Sequence, residues 1–184
     1  MGNLTDHFSG GGGGSNVLEI ISYNTDGRTV NLNGTDYTAG TTAIHAGSTS
    51  DYDVSGGSIT YTPPDGTKAV VYEIDVTSTY VDSTGIGHFW LDIDGTEVTR
   101  SRKTIRGHTW QQVLSFRFTI QVGVGTENLA LGQVGAWTSD KTLKLRTREY
   151  TSSYESRTND LTWWDGATAN PRIAYSNLKI TAIK

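Results

Sequence analysis

From Val17 onward, apolar and polar residues alternate with a period of two, and Gly, Pro, Asn and Asp interrupt the alternation at short intervals. The pattern is clearest over Ser58–Val76, SITYTPPDGTKAVVYEIDV. Val70, Tyr72, Ile74 and Val76 share one parity there, and Glu73 and Asp75 share the other. Such alternation predicts half-buried antiparallel strands. Here it predicts a pair, Ser58–Pro63 and Lys68–Tyr80, joined at Pro-Pro-Asp-Gly.

The same grammar extends along the chain. Val17–Ser22 precedes a turn at Asp26-Gly27, and Arg28–Leu32 precedes another at Asn33-Gly34. Tyr37–Ala46 is a weaker, Thr-rich extended stretch. Ile86–Ile93 and Thr96–Arg100 flank Asp94-Gly95, a strong two-residue hairpin signal. In Val113–Val124, the residues Leu114, Phe116, Phe118, Ile120 and Val122 oppose Ser115, Arg117, Thr119 and Gln121. Leu129–Trp137 and Thr142–Tyr150 read as a further pair, with Leu143 and Leu145 inward and Lys144, Arg146 and Arg148 toward water. In the closing Arg172–Ile183 stretch the apolar parity switches, which predicts a bulge near Ser176-Asn177. No segment has a helical period. About eight to ten strands at this spacing predict an all-β, antiparallel β-sandwich, and the long strands with unequal loops predict a jelly-roll-like form.

The first residues break this pattern. Gly10–Gly14 is an unbroken glycine run that holds neither helix nor strand unaided. The chain therefore divides into a flexible arm, 1–15, and one domain, 16–184. The arm carries Leu4, His7 and Phe8. It reads either as a frayed terminus or as a tethered partner-docking peptide with apolar anchors at i, i+4 spacing.

Composition narrows the chemistry. At 35% hydrophobic, 18% charged and 22 glycines, the chain suits a turn-rich β protein more than a helical bundle. A net charge of −4 supplies no electrostatic pull toward nucleic acid. With no cysteine, disulfides and thiolate chemistry are excluded. No signal-peptide pattern and no apolar run of spanning length is present, so membrane insertion is not expected. The sequons at Asn3 and Asn33 carry little information alone.

No motif points to catalysis. His7, His45, His88 and His108 are scattered, with no pair at metal-ligand spacing. Asp92–Glu97 superficially resembles a calcium loop, but the hairpin accounts for each of its residues. There is no Gly-x-Ser-x-Gly elbow and no phosphate-binding loop. The expectation is a protein that is not an enzyme and needs neither cofactor nor metal. Two groups of side chains stand out. Tyr150, Tyr154, Trp163 and Trp164, mixed with acids and amides, suit a glycan platform, a core plug or a subunit interface. Arg100, Arg102, Lys103 and Arg106 form a basic loop that suits either a solvated surface or an acidic partner.

Three stretches carry a resemblance. They are Asn16-Val-Leu-Glu-Ile-Ile with Asp26-Gly-Arg-Thr-Val30, Gly57–Pro64 running into Ala69–Ile74, and Leu91-Asp-Ile-Asp-Gly-Thr-Glu-Val98. Together they resemble small virion structural proteins of tailed phages, especially those of marine cyanobacteria. The resemblance implies a jelly-roll-like domain on the particle surface. It also implies a homotrimer whose partner is the major capsid protein or another virion protein. The role implied is capsid decoration or cement, and the alternative is a fibre or spike component that binds a host surface glycan. The family brings no catalytic residues.

Overall fold

The computed structural model describes residues 15–32, 34–80, 85–107, 111–161 and 173–184. The arm residues Leu4, His7 and Phe8, together with His108, Trp163 and Trp164, lie outside the described residues. In chain order the strands are β1 (Val17–Asn24), β2 (Thr29–Leu32), β3 (Thr35–Thr38), β4 (Tyr52–Tyr61), β5 (Ala69–Tyr80), β6 (Gly85–Ile93) and β7 (Thr96–Glu97). After a 3-10 turn at Thr99–Ser101 come β8 (Lys103–Gly107) and β9 (Gln111–Val122). A second 3-10 turn, Leu129–Leu131, precedes β10 (Gln133–Val134), β11 (Lys141–Glu149), β12 (Ser156–Thr158) and β13 (Asn177–Ile183).

These strands make a β-sandwich. One sheet runs β1-β13-β5-β9-β10, with β12 also pairing β5, and the other runs β4-β11-β6-β7, with β8 pairing β6. A separate β2–β3 hairpin completes the set. All pairings are antiparallel except the short β9–β10 pair. No described helix is long and apolar enough to cross a membrane.

The alternation read from the sequence is the core. Val70, Tyr72, Ile74 and Val76 of β5 are buried with Leu114, Phe116 and Ile120 of β9 and Leu178 and Ile180 of β13. Against them pack Ile59 and Tyr61 of β4, Phe89, Leu91 and Ile93 of β6, and Leu143 and Leu145 of β11. Tyr72 is fully buried, and its hydroxyl crosses the sandwich to donate to the Gly57 carbonyl at 2.7 Å. Tyr72→Phe leaves that buried carbonyl unpaired. We expect a loss of about 1–3 kcal/mol in urea unfolding, with little change in slope.

Pairing departs from sequence proximity in several places. Ser58–Tyr61 and Ala69–Tyr80 do not pair with each other: β4 and β5 lie in opposite sheets. The Pro63-Pro64 connection crosses between them, because neither proline can donate to a ladder. Thr67 closes that crossing by donating from Oγ1 to the Pro64 carbonyl at 2.7 Å. Leu129–Trp137 is not the partner of β11 either. Its 3-10 turn ends at Gly132, where φ is 72°, and β10 then adds in parallel to β9. Trp137 plugs the core and donates from Nε1 to the Tyr61 carbonyl at 3.1 Å. At the C-terminus there is no bulge at Ser176-Asn177. β13 starts at Asn177, and Ser176 precedes it as buried irregular chain whose carbonyl accepts from the Thr25 N–H. The parity switch marks where the strand begins, and the register shift of this pair lies in β1, between Val17 and Glu19.

Candidate functional site

The outward face of the five-stranded sheet holds most of the polar chemistry. In β6, Phe89, Leu91 and Ile93 turn inward, so the opposite parity places His88, Trp90 and Asp92 on the outside. Antiparallel register sets Arg148 of β11 opposite His88, Arg146 opposite Trp90 and Lys144 opposite Asp92. On the other side of β6, Thr104 of β8 stands opposite His88. Together these strands form an open groove of about 460 Å³ that includes Asp51, His88, Trp90, Glu97, Arg102 and Arg148. Trp90 belongs to its floor and is only 6% exposed.

Most of the charges around the groove are already engaged. Arg102 pairs with Glu97 through its Nε. Asp53 receives Lys144 Nζ at 2.9 Å and lies 3.2 Å from Arg146 Nε. Lys103 reaches the Ser115 carbonyl at 3.4 Å and sits 5.1 Å from the centre of the Phe116 ring. The basic stretch is therefore not a loop. Arg100 lies in the 3-10 turn, Arg102 follows it, and Lys103 and Arg106 are on β8. The ladder to β6 recruits these residues because Thr104 and Arg106 fall on the outward parity.

His88 and Tyr150 mark one end of the groove. His88 Nδ1 shares a hydrogen bond with Thr104 Oγ1 at 2.9 Å. Burial lowers the His88 pKa, and the adjacent Arg148 charge lowers it further, so the ring is neutral at neutral pH. Tyr150 is 59% exposed, and its N–H donates to the Ile86 carbonyl, just beyond the end of β11. Its ring lies 6.0 Å from His88, edge to face, and 6.2 Å from Tyr154. The structure thus brings Tyr150 and Tyr154 together, and His88 joins them, while Trp163 and Trp164 lie outside the described residues. The signal for His88 and Trp90 was present in the sequence as their opposite parity to Phe89, Leu91 and Ile93.

Beneath this end, the inward face of β11 turns polar. Leu143 and Leu145 are followed at the same parity by Thr147 and Glu149, and all four are buried. The Thr147, Ser156 and Thr158 hydroxyls, the Tyr52 hydroxyl and Glu149 Oε2 are buried without an aligned hydrogen bond in the structure. Burial pushes the Tyr52 hydroxyl up to about 12, and the neighbouring Thr158 pulls it partly back. Burial likewise raises the Glu149 pKa; the Ser156 N–H holds it partly down, and the Glu155 charge adds to the rise. Glu149 is 5% exposed and belongs to the interior, not to the groove.

The Asp92–Glu97 acids are consumed as a hairpin requires. Asp92 Oδ1 accepts from the Gly95 N–H at 2.7 Å, and Asp94 accepts from Lys141 Nζ and the Thr142 N–H. Among the described residues no cluster of three His, Cys, Asp or Glu could hold a metal.

No protein-family model matches this sequence, and no curated protein matches it. Solved structures to which this chain has a distant similarity include the C-terminal domain of EclA, a sugar-binding protein. It is 12% identical with a TM-score of 0.36, over 64% of this chain and 74% of that one. Another is the CBM36-1 domain of a multidomain xylanase from the hindgut metagenome of Trinervitermes trinervoides. It is 11% identical with a TM-score of 0.34, over 87% of this chain and 96% of that one. A third is the VP2 subviral particle of infectious bursal disease virus, 12% identical with a TM-score of 0.28, over 86% of this chain and 43% of that one. Likenesses this distant assign no ligand and no role.

Proposed function

We propose that this chain is a non-enzymatic structural protein of a phage particle surface. Capsid decoration is the favoured role, performed by a homo-oligomer, a trimer on the resemblance stated above, seated on the major capsid protein. The observation that carries the reading is the outward face of the six-stranded sheet. Across it run ladder rows at the outward parity, Ile20–Thr181–Val71–Thr119, whose central Thr181 and Val71 are buried beneath their neighbours' side chains, and Ser22–Lys179–Glu73–Arg117. Ile20 is 51% exposed on β1, and Val113 is 66% exposed on β9. Between them Glu73 takes Lys179 Nζ at 3.1 Å and Arg117 Nε at 3.5 Å, and Asp75, exposed at the same parity, brings the middle of the face to two acids against two cations. A broad, neutralised β-surface bordered by bare β-branched side chains suits adhesion, where symmetry multiplies weak contacts. Glu73 and Asp75 are accordingly surface groups, not an acid pair.

The test combines light scattering with co-sedimentation on capsids. A homo-oligomer that sediments with capsids, and loses both properties in an Ile20→Asp, Val113→Asp double variant, is the expected result. A monomer without capsid affinity overturns the reading. A second reading, glycan recognition by a fibre or spike component, is favoured by one specific observation: the exposed Tyr150 ring set beside His88 at the end of the groove.

A further inference from the structure

We propose that Tyr150, Arg148, His88 and Thr104 form a subsite for a carboxylate-bearing sugar residue, such as a uronic acid within an acidic polysaccharide. The proposal rests on the glycan reading and names its ligand class.

The platform comes first. Tyr150 is exposed yet held between two rings, His88 at 6.0 Å and Tyr154 at 6.2 Å. An exposed aromatic propped by neighbouring rings stacks a sugar at small entropic cost, because it is ordered before the ligand arrives. The cation comes second. Arg148, on β11, is two residues before Tyr150, so their Cα atoms are at most about 7 Å apart, and both side chains are exposed. Its Nε lies 4.0 Å from Asp51 Oδ1, at the limit of an ion pair and beyond hydrogen-bond range. The other cations lining the groove are held: Arg102 by Glu97, and Lys103 by the Ser115 carbonyl and the Phe116 ring. Arg148 therefore keeps a planar fork of donors, the geometry that matches a carboxylate two-to-two.

The third part is orientation. His88 stands opposite Arg148 and is neutral, with Nδ1 engaged by Thr104. Its second ring nitrogen suits a sugar hydroxyl, and so does the Asp51 carboxylate. The wider field agrees. Eight of the fifteen Lys and Arg residues fall in two segments around the groove, four on β11 and four between Thr99 and Gly107.

Calorimetric titration of the intact protein separates the outcomes, with polygalacturonate, alginate and hyaluronate as acidic probes, and methyl-esterified polygalacturonate and a neutral glucan as controls. Expected are binding to at least one acidic polymer and at least tenfold weaker binding to the ester. Arg148→Gln should erase that preference, and Arg148→Lys should restore only part of it. Tyr150→Ala should weaken both the acid and the ester. Both side chains are at the surface, so thermal melts should match the parent and exclude misfolding. Equal affinity for acid and ester, or an Arg148→Gln variant as selective as the parent, overturns the acidic-sugar assignment while leaving glycan recognition standing. No binding to any polymer by a protein that still sediments with capsids overturns the subsite and the glycan reading together, and leaves the decoration reading intact.

Discussion

Gly56→Ala should lower the stability of this sandwich by about 2–5 kcal/mol, a fall in Tm of about 10 °C, for two separable reasons. Gly56 lies in β4 at φ 84°, where a side chain is strained by about 1–2 kcal/mol. A Cβ there would also stand 2.7 Å from Thr25 Cβ and Oγ1 and 2.8 Å from Thr42 Oγ1. Those threonines cannot easily retreat. Both are buried, their hydroxyls meet each other, and Thr42 also donates to the Thr25 carbonyl at 2.8 Å. Overpacking of such a point costs about 1–3 kcal/mol. Gly66 separates the two contributions: it has φ 85° with open space around it, so Gly66→Ala should show the strain alone. Equal losses at the two positions in calorimetry would refute the packing half of the argument.

Glu149→Gln should stabilise the protein at neutral pH, against the usual direction of a core substitution. The parent carboxylate is buried with one oxygen unpaired, and its pKa is raised in the fold by burial first of all. A raised carboxylate pKa means that the folded state binds the proton more tightly than the unfolded chain does. That contribution is therefore complete below the ordinary carboxylate pKa, and it drains away as pH climbs through the folded value. At pH 7 the parent holds an under-partnered buried charge, which costs about 1–3 kcal/mol or more. The amide removes that charge at nearly the same volume. Across calorimetric scans from pH 4 to pH 8, the Tm gain of Glu149→Gln should start near zero and grow with pH. A gain that stays constant with pH would mean that the carboxylate is not the cause.

Which parts of this architecture the sequence discloses follows from the range of the interactions. Strand alternation is local, so the buried sets on β5, β9 and β11 could be read directly, as could the Asp94-Gly95 hairpin, whose residues have φ 52° and 82°. Partner choice is not local. Nothing in Ser58–Val76 states that its two strands enter opposite sheets, or that β1 pairs with β13. The site divides the same way. Tyr150 and Tyr154 are near in sequence and could be picked out together. The groove needed His88 and Arg148 to meet across a ladder, and only register brings them together. Glu149 could have been placed inside by continuing the Leu143–Leu145 parity two steps further; an acid at a core position is the kind of conflict that such patterns invite one to ignore.

The β1–β13 pair also sets how the domain bears load. Val17 stands opposite Ile183, and the Lys184 N–H donates to the Asn16 carbonyl, so the two ends of the sandwich lie side by side on one edge. Tension applied between those ends acts across the ladder and breaks its hydrogen bonds one after another, like a zipper. Tension applied along the strands would have to shear a whole row at once. Pulled by its two ends the domain would therefore open at low force, and loaded along its strands it would resist.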